Sequence, residues 1–488
     1  MNLDNIEKYT IKLPQKLNFV LKKIDSNLNG IIFIINSQNK LIGSITDGDI
    51  RRGMMRSQVK NIVNQNSKFI NRKPFFLNYN SSIKKILFHL ENKKNNKKFK
   101  CIPLVDNNKI IKDISTIESL RKYPLINLKI QNSEINNVID AMKTGWISSA
   151  GSYVRQFEEN FVKYIGRGFA ISTSSGTTAL ELALKAFGIG YGHEVILPNF
   201  SFAGSINSII NVGAKPVVID INPSTWTIDV NQIKKKISKK TKAIMPVHIY
   251  GQPCEMNKIK RIARLNNLFV IEDAAEALGA TYKKSKIGFN SDCACFSFYA
   301  NKTITTGEGG MVIFKNKKNL ELANKIKNHG MSNRKFYFHD IIGSNYRMTN
   351  IQAAIGVEQL KKIRSLISAR KKIFKYYDKK LSKFSFIKLL PKNDWSTNSY
   401  WLYTILIEKL GLTRRQKLIN NLLKKGIETR PAFYPFSSMK IYNKYCSGSY
   451  KFSEKIAFNS ISLPSTSINQ IDQDLIIYNL IEEINSLI

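Results

Sequence analysis

A single lysine, Lys302, lies in a stretch whose composition could turn an amine into a reactive group. It follows an apolar, aromatic run at residues 296–299 and precedes a glycine-rich turn at residues 307–310. If the ammonium is partly desolvated its pKa falls, and the neutral amine can attack a carbonyl carbon to form a Schiff base. A surface lysine beside a hairpin turn would have the same local sequence, so residues elsewhere must decide between the two readings.

A second stretch could bind a phosphate. A short strand at residues 169–172 enters a Ser-Gly-Thr turn containing Gly176 and Thr177, and a helical segment follows at 178–187. A helix start presents unpaired amides and a positive dipole end, and glycine lets the backbone approach a ligand closely. Taken alone, the pattern is also typical of an ordinary helix cap.

Alternating strands and helices must position these groups. Short apolar runs at 194–198, 215–220, 242–251 and 267–273 alternate with helical segments, which predicts a doubly wound, mainly parallel sheet. Ligands of such sheets bind at the carboxyl ends of the strands. The residues predicted at those ends are Phe200, Phe202, His248, Tyr250, Glu272 and Asp273. A buried Asp273 would be costly unless it faced a cation, which also favours a ligand site.

Length and composition limit the classes of protein to which the chain can belong. A chain of 488 residues predicts two or three domains. The net charge of +41 suggests a nucleic-acid binder, but the lysines are spread along the chain without an arginine-rich, aromatic-interleaved stripe. The cysteines, five in number, form no disulfide framework, and Cys293 and Cys295 lack a second pair for a metal site. No apolar run is long enough for a membrane span. We therefore expect a soluble cytoplasmic protein without metal, nucleic acid or membrane partners.

The N-terminal region contains an internal repeat. The segment GIIFIINSQNKLIGSITDGDI at 30–50 returns in degraded form as KCIPLVDNNKIIKDISTIESL at 100–120, which predicts a pseudo-symmetric pair of small α/β units. Residues 1–122 resemble a tandem CBS pair. In that family Gly43, Thr46 and Asp49 would match the pattern that binds adenine nucleotides, whereas the second copy offers Lys112, Ser115 and Glu118. We expect at most one nucleotide site, and a helix cap alone would also explain Thr46 and Asp49.

From residue 128 to the C-terminus the chain resembles the sugar aminotransferases of the DegT/DnrJ/EryC1/StrS family. The resemblance rests on ordered blocks: GWISSAGSYVRQFE, SSGTTALELAL, GAKPVVIDI, IEDAAEALGA, FSFYANKTITTGEGG, NYRMTNIQAAIG and ETRPAFYP. It implies a pyridoxal-phosphate enzyme of fold type I. We expect a large cofactor-binding domain at 123–370 and a small C-terminal α/β domain at 371–488.

The resemblance also implies roles for individual residues. Lys302 would carry the cofactor and shuttle a proton, and Asp273 would keep the pyridine nitrogen protonated. Phe202 would stack on the ring. The residues expected to bind the cofactor phosphate are Gly176, Thr177 and Ser297, together with Asn345 from a neighbouring subunit. The last contact implies a homodimer with shared active sites.

One position departs from many family members. Glu276 stands where they carry Gln or His beside the cofactor's 3-hydroxyl, and this carboxylate looks most like the perosamine synthase branch. That branch aminates GDP-4-keto-6-deoxymannose with L-glutamate, for surface polysaccharide such as O-antigen; a UDP- or dTDP-linked 4-keto sugar is the alternative. Relatives that dehydrate sugars replace the lysine with histidine, so Lys302 disfavours that reaction.

Further residues are candidates for contacts with the nucleotide sugar. They are His329, Arg430 and Tyr434, of which Arg430 suits a diphosphate by its charge and fork geometry. A catalytically silent adenine-nucleotide sensor and a basic nucleic-acid binder remain the alternatives from different classes of protein.

Overall fold

The computed structural model describes residues 3–56, 61–81, 83–91, 99–116, 122–332 and 334–487. The chain divides into two compact units. The N-terminal unit comprises Met1–Tyr123 with Asn420–Glu428, and the larger unit comprises Pro124–Ile419 with Thr429–Ile488. Among the described residues, no helix is both long and apolar enough to cross a membrane.

The N-terminal unit is built twice from the same small motif. Its helices within the described residues are α1 (Leu3–Tyr9), α2 (Leu17–Ser26), α3 (Asp47–Met55) and α4 (Ile83–Glu91). Its strands are β1 (Thr10–Lys12), β2 (Gln15–Lys16), β3 (Ile31–Ile35), β4 (Leu41–Thr46), β5 (Ile62–Val63), β6 (Leu77–Asn78), β7 (Cys101–Val105) and β8 (Ile111–Thr116). Each copy is a three-stranded sheet, β1-β3-β4 or β6-β7-β8.

The two copies agree in detail. In each, an antiparallel hairpin carries a register shift before its last strand pair, and a third strand runs parallel to the first strand of the hairpin. The hairpin turns place Asn39 and Lys109 at equivalent left-handed φ values of 60° and 62°. The repeat predicted from the sequence is therefore present in the backbone. The predicted Glu118 of the second copy lies outside the described residues.

The larger unit is organised around a mixed sheet. Its helices are α5 (Asn132–Lys143), α6 (Ser152–Ile165), α7 (Gly176–Ala186), α8 (Ala203–Asn211), α9 (Val230–Lys236), α10 (Met256–Leu265), α11 (Lys317–Lys327), α12 (Asn350–Lys361), α13 (Ile363–Leu381), α14 (Gly411–Lys424), α15 (Lys451–Asn459) and α16 (Gln470–Asn485). Its strands are β9 (Phe169–Thr173), β10 (Glu194–Pro198), β11 (Lys215–Ile219), β12 (Thr241–Ile244), β13 (Phe269–Asp273), β14 (Thr281–Tyr282), β15 (Ser285–Lys286), β16 (Cys293–Ser297), β17 (Gly310–Phe314), β18 (Ile387–Lys388), β19 (Ser396–Thr397), β20 (Tyr403–Ile407), β21 (Arg430–Pro431) and β22 (Ser460–Leu463).

The seven-stranded sheet has the order β11-β10-β12-β13-β16-β17-β9. The first five strands in this order pair in parallel, namely β11, β10, β12, β13 and β16. The strand β17 runs antiparallel to both of its neighbours. The predicted mainly parallel sheet is confirmed. Alternate side chains of the strands face two helical layers, so that the sheet is buried on both faces. One face packs against α6, α10 and α12, and the other packs against α7, α8 and α11.

One sequence-based expectation changes in detail. The strand predicted at 242–251 ends at Ile244, because Pro246 has no amide to donate to the ladder, and His248 and Tyr250 follow in a turn. The expected domain boundary at 370 falls inside α13. The remaining strands include a four-stranded sheet, β18-β20-β22-β21, near the C-terminus.

Candidate active site

A cavity of about 450 Å³ opens at the carboxyl ends of the parallel strands. It is lined by residues from β13, the β16–β17 connection, the start of α7 and the loop before α8. The predicted residues that line it are Gly176, Thr177, Phe202, Asp273, Glu276, Ser297, Lys302 and Arg430. The structure therefore brings together residues that lie up to 254 positions apart (430 − 176) in the sequence.

Lys302 is held inside this cavity. Its side chain is only 13% exposed, and its Nζ lies 4.0 Å from Glu276 Oε1. The same Nζ lies 3.9 Å from the centre of the Trp401 ring. Burial lowers the pKa of the Lys302 ammonium, although the carboxylates of Glu276 and Asp273 act in the opposite direction. The interpretation of Lys302 as a surface lysine is therefore wrong, because its side chain is buried inside the cavity, where the charged form is disfavoured.

Glu276 is fixed by an unusual backbone conformation. Tyr250 has a φ of 49°, a left-handed value that bulky residues rarely adopt. In that conformation its amide donates a hydrogen bond of 2.6 Å to Glu276 Oε2. Burial raises the pKa of the Glu276 carboxyl to about 7, against the effects of Lys302 and the Tyr250 amide. Near neutral pH this carboxyl can thus hold or release a proton.

Asp273 ends β13 with its carboxylate turned toward the cavity. Its Oδ2 accepts a hydrogen bond of 2.6 Å from Ser205, and its Oδ1 accepts one of 3.1 Å from the amide of Ala275. The preceding Glu272 points to the opposite face of the strand. There it contacts His248 Nε2 at 2.7 Å, and both side chains are buried. Strand alternation thus assigns one carboxylate of the pair to the cavity and the other to the core.

The start of α7 forms another wall. Ser175 caps the helix by accepting from the Thr178 amide at 3.1 Å. The first amides of a helix have no intrahelical acceptor, so those of Gly176 and Thr177 are available to a ligand. A Cβ on Gly176 would come within 2.8 Å of Ser297 Cβ, so only glycine fits here. Amides, hydroxyls and the helix dipole make this wall suitable for a phosphate group.

A family model described as "DegT/DnrJ/EryC1/StrS aminotransferase family" matches residues 128–480 of the chain. The chain belongs to this family. Residues 1–127 precede the match.

Two curated relatives of this aminotransferase are GDP-perosamine synthases. The GDP-perosamine synthase of Caulobacter vibrioides is 40% identical over 351 residues, covering 72% of this chain and 95% of the relative. The GDP-perosamine synthase of Escherichia coli O157:H7 is 40% identical over 347 residues, covering 71% of this chain and 94% of the relative.

Solved structures show the same fold. The PLP form of Spr1654, a proposed sugar aminotransferase of Streptococcus pneumoniae, superposes with a TM-score of 0.71 and 28% identity, covering 75% of this chain and 99% of that one. This chain is a PLP-dependent sugar aminotransferase, and its cofactor is pyridoxal phosphate. Its cavity fits that cofactor, because it is lined by the amine of Lys302, the carboxylate of Asp273 and the start of α7. At that helix start Gly176 leaves no room for a larger side chain.

Three predicted residues of the aminotransferase do not line this cavity. Asn345 instead accepts a hydrogen bond of 3.0 Å from Arg347 Nε. The His329 main chain adopts a left-handed φ of 61°, and its carbonyl lies 2.9 Å from His339 Nδ1. Tyr434 packs with its ring 5.1 Å from the Arg415 guanidinium. These three residues thus do not line the cavity of their own chain, although Arg430 and Phe433 from the same block as Tyr434 do.

Several lining residues were not predicted as site residues. They include Ser201, Ser205, Tyr299, Asn301, Trp401 and Phe433. Trp401 lies in no motif that the sequence analysis used, and its ring stacks near Phe433 with a centroid separation of 6.4 Å. Ser205 could have been found by its helical spacing from Phe202, since positions three apart share a helix face.

Proposed function

We propose that this aminotransferase transfers the amino group of L-glutamate to carbon 4 of a nucleotide-linked 4-keto-6-deoxy sugar, with GDP-4-keto-6-deoxymannose as the substrate. The observation that carries the proposal is the cavity that joins Lys302, Asp273 and Glu276 in a chain 40% identical to GDP-perosamine synthases. The product would supply an amino sugar for surface polysaccharide such as O-antigen, made in the cytoplasm.

Bound pyridoxal phosphate supplies a carbonyl group that exchanges the amino group and a ring that takes up an electron pair. Lys302 would hold it covalently and then move a proton to or from the substrate carbon. Asp273 would hold a proton on the ring nitrogen, because a carboxylate in a dry site stabilises that cation. Gly176, Thr177 and Ser297 would bind the phosphate, and Phe202 would pack on the ring.

The substrate side is assigned to residues at the rim. Arg430 lines the cavity and would bind the diphosphate. His329 and Tyr434 do not line it, so they would act only from a neighbouring subunit or after a rearrangement. Asn345 likewise would reach the phosphate of a partner's cofactor in a homodimer with shared active sites.

A direct assay tests the choice of substrate. The purified protein is offered L-glutamate with GDP-, UDP- and dTDP-linked 4-keto-6-deoxy sugars, and both 2-oxoglutarate and amino sugar are measured. We expect the GDP sugar to have the highest kcat/KM. Preference for a UDP or dTDP sugar would replace the proposed substrate without touching the family assignment, because selectivity depends on a few pocket contacts.

The glycine at the phosphate wall yields a first prediction. Gly176→Ala adds a Cβ 2.8 Å from Ser297 Cβ. This distance is too short, so either the start of α7 or the end of β16 must shift. Overpacking of this kind costs about 1–3 kcal/mol, so we expect the Kd for pyridoxal phosphate to rise by about tenfold or more. Gly448→Ala is the matched control, since its Cβ would meet only ordinary contacts at 3.4 Å. Equal cofactor affinity in both variants would contradict the phosphate assignment.

Glu276 yields a second prediction, on the cofactor-free protein. Its carboxyl has a pKa of about 7 in the fold, against the usual 4.5. The folded state therefore binds the proton more tightly than the unfolded state does. The stability that this proton contributes is present below about pH 4.5 and is lost as the pH rises from there through about 7. A shift of this size amounts to about 3 kcal/mol. Glu276→Gln should remove this loss. The free energy of unfolding of Glu276→Gln relative to that of the wild type should therefore increase between pH 5 and pH 8.

Thermal unfolding of both cofactor-free proteins at pH 5 and pH 8 measures the effect of Glu276. Lys302 changes the comparison in the same direction, because the loss of the Glu276 carboxylate lowers the pKa of the Lys302 ammonium further, and its neutral amine then becomes more favourable at high pH. Parallel pH profiles for wild type and Glu276→Gln would show that Glu276 does not titrate in this range.

The N-terminal unit has its own candidate role as an adenine-nucleotide sensor of the tandem CBS type. A cavity of about 240 Å³ is lined by the residues Asp49, Arg52, Gly53, Arg56, Lys68, Phe69, Ile70 and Asn71. Thr46 and Asp49 are engaged with each other in the capping box of α3, and Asp49 Oδ1 accepts from Arg52 at 2.7 Å. The cations at this cavity, rather than the capping pair, would bind phosphate.

Calorimetric titration with AMP and ATP tests this role. Lys68→Ala should weaken binding, whereas Lys73→Ala, an exposed lysine outside the cavity, should not. The absence of heat with either nucleotide would leave the unit a structural role.

A further inference from the structure

A buried arginine holds the main chain of the active-site lysine. Arg370 lies in α13 and is only 5% exposed. One guanidinium nitrogen, NH2, donates a hydrogen bond of 3.0 Å to the carbonyl of Lys302. The other, NH1, donates one of 3.2 Å to the carbonyl of Trp401. The guanidinium of Arg370 thus bridges the segment that carries the Lys302 amine and the segment that carries the Trp401 ring.

The surroundings of Arg370 make this arrangement costly. Burying a cation is unfavourable unless it is paired. Among the described residues, no carboxylate lies within ion-pair distance of Arg370, and its recorded hydrogen bonds all go to carbonyl oxygens. Burial lowers the pKa of Arg370 to about 10, so the guanidinium stays charged at neutral pH. An apolar side chain would fill the space without this cost, which points to a role other than packing.

Trp401 completes the arrangement around the lysine. Its indole Nε1 donates a hydrogen bond of 2.8 Å to the carbonyl of Asn301. Its ring lies 3.9 Å from Lys302 Nζ. Trp401 therefore contacts the lysine segment through its side chain, while its carbonyl is tied to the same segment through Arg370. The stretch containing Lys302 lies between β16 and β17 and has no strand ladder of its own. Its turn hydrogen bonds, such as that from the Lys302 amide to the Tyr299 carbonyl, are internal, so the bonds from Arg370 and Trp401 are what link it to the segments around it.

We propose that Arg370 is a positioning residue that, by binding the carbonyls of Lys302 and Trp401 together, holds the lysine amine on the indole face and directed into the cavity. The fork of the guanidinium is needed because two carbonyls must be bound in a fixed geometry, which the single ammonium of a lysine does not reproduce. The proposal requires only the chemistry of the aminotransferase family and is independent of which sugar is the substrate.

The test compares Arg370→Lys with Arg364→Lys, the same change at an exposed position of α13. Cofactor-free protein is mixed with pyridoxal phosphate, and the rate at which the visible absorption of the lysine-bound cofactor appears is recorded. We expect this rate and kcat to fall by about 10- to 100-fold in Arg370→Lys, because small misplacements of reacting groups have effects of this size. The final cofactor content, the KM for glutamate and all values of Arg364→Lys should stay close to wild type.

Two results would overturn the proposal. One is a wild-type rate of chromophore formation and wild-type kcat in Arg370→Lys; the other is a lowered thermal midpoint with an unchanged rate, which would leave Arg370 a structural role only. If Arg370→Lys does not fold, Arg370→Gln replaces it, since its uncharged amide presents a single donor nitrogen in place of the guanidinium fork that binds both carbonyls. It should slow chromophore formation in the same way, and a wild-type rate in Arg370→Gln would equally contradict the proposal.

Discussion

Lys302→Ala is expected to abolish the visible absorption of the bound cofactor and to reduce transamination by on the order of 10⁴-fold or more. The variant loses both the amine that binds the cofactor covalently and the group that moves the proton. Folding should be unaffected or slightly improved, because the substitution removes an ammonium whose pKa burial already lowers. The main-chain bond from Arg370 to the carbonyl of residue 302 does not depend on the side chain.

Absorption spectra, circular dichroism and the sugar assay measure these effects together. Lys315→Ala is the control, since this exposed lysine follows β17 and lies outside the cavity. A folded Lys302→Ala protein that keeps the absorption band, or that still turns over, would assign the amine to another residue.

Asp273→Asn is expected to lower kcat/KM by about 10²–10³-fold while leaving the protein folded and able to bind the cofactor. An amide preserves the size of the side chain, and its oxygen can still accept from Ser205 or from the Ala275 amide. It removes the negative charge, and preorganised charge in a dry site is worth roughly this much in rate. The loss should therefore appear in turnover rather than in stability.

Ser205→Ala separates charge from hydrogen bonding at this position. It removes the 2.6 Å bond to Asp273 Oδ2 but keeps the carboxylate. We expect a smaller effect, of about tenfold, because one hydrogen bond to a charged group contributes about 1.5–3 kcal/mol, while the carboxylate and its bond from the Ala275 amide remain. Equal losses in Ser205→Ala and Asp273→Asn, or a fully active Asp273→Asn, would argue against the electrostatic role.

The sequence could predict those parts of the site whose signals are local. Strand ends, glycines at turns and a helix start depend on neighbouring residues, and the parallel sheet then brings Gly176, Asp273 and Lys302 together. Strand alternation also accounts for Cys293 and Cys295, which share one buried face of β16. These features follow from backbone periodicity and need no knowledge of distant contacts.

Other parts of the site depend on contacts between distant segments. Trp401 and Arg370 lie about 100 and 68 positions from the residues that they bind, and neither has a local pattern that marks its role. The left-handed Tyr250, which aims an amide at Glu276, is likewise set by its surroundings. Conversely, Thr46 and Asp49 form the local capping contact that their spacing of three residues predicts.

The reversed strand β17 has a consequence for how such enzymes can diversify. Because β16 and β17 are antiparallel, Lys302 lies on a hairpin connection rather than on a crossover helix. This connection closes on itself, since the Phe298 amide donates to the Gly309 carbonyl and the Thr306 amide donates to the Phe298 carbonyl. Phe298 and Ile304 of this connection are buried against the helical layer that contains α6 and α12, whereas the Lys302 side chain lines the cavity. A substitution at position 302 can therefore change the chemistry of the site while the sheet and its helical layers keep their packing.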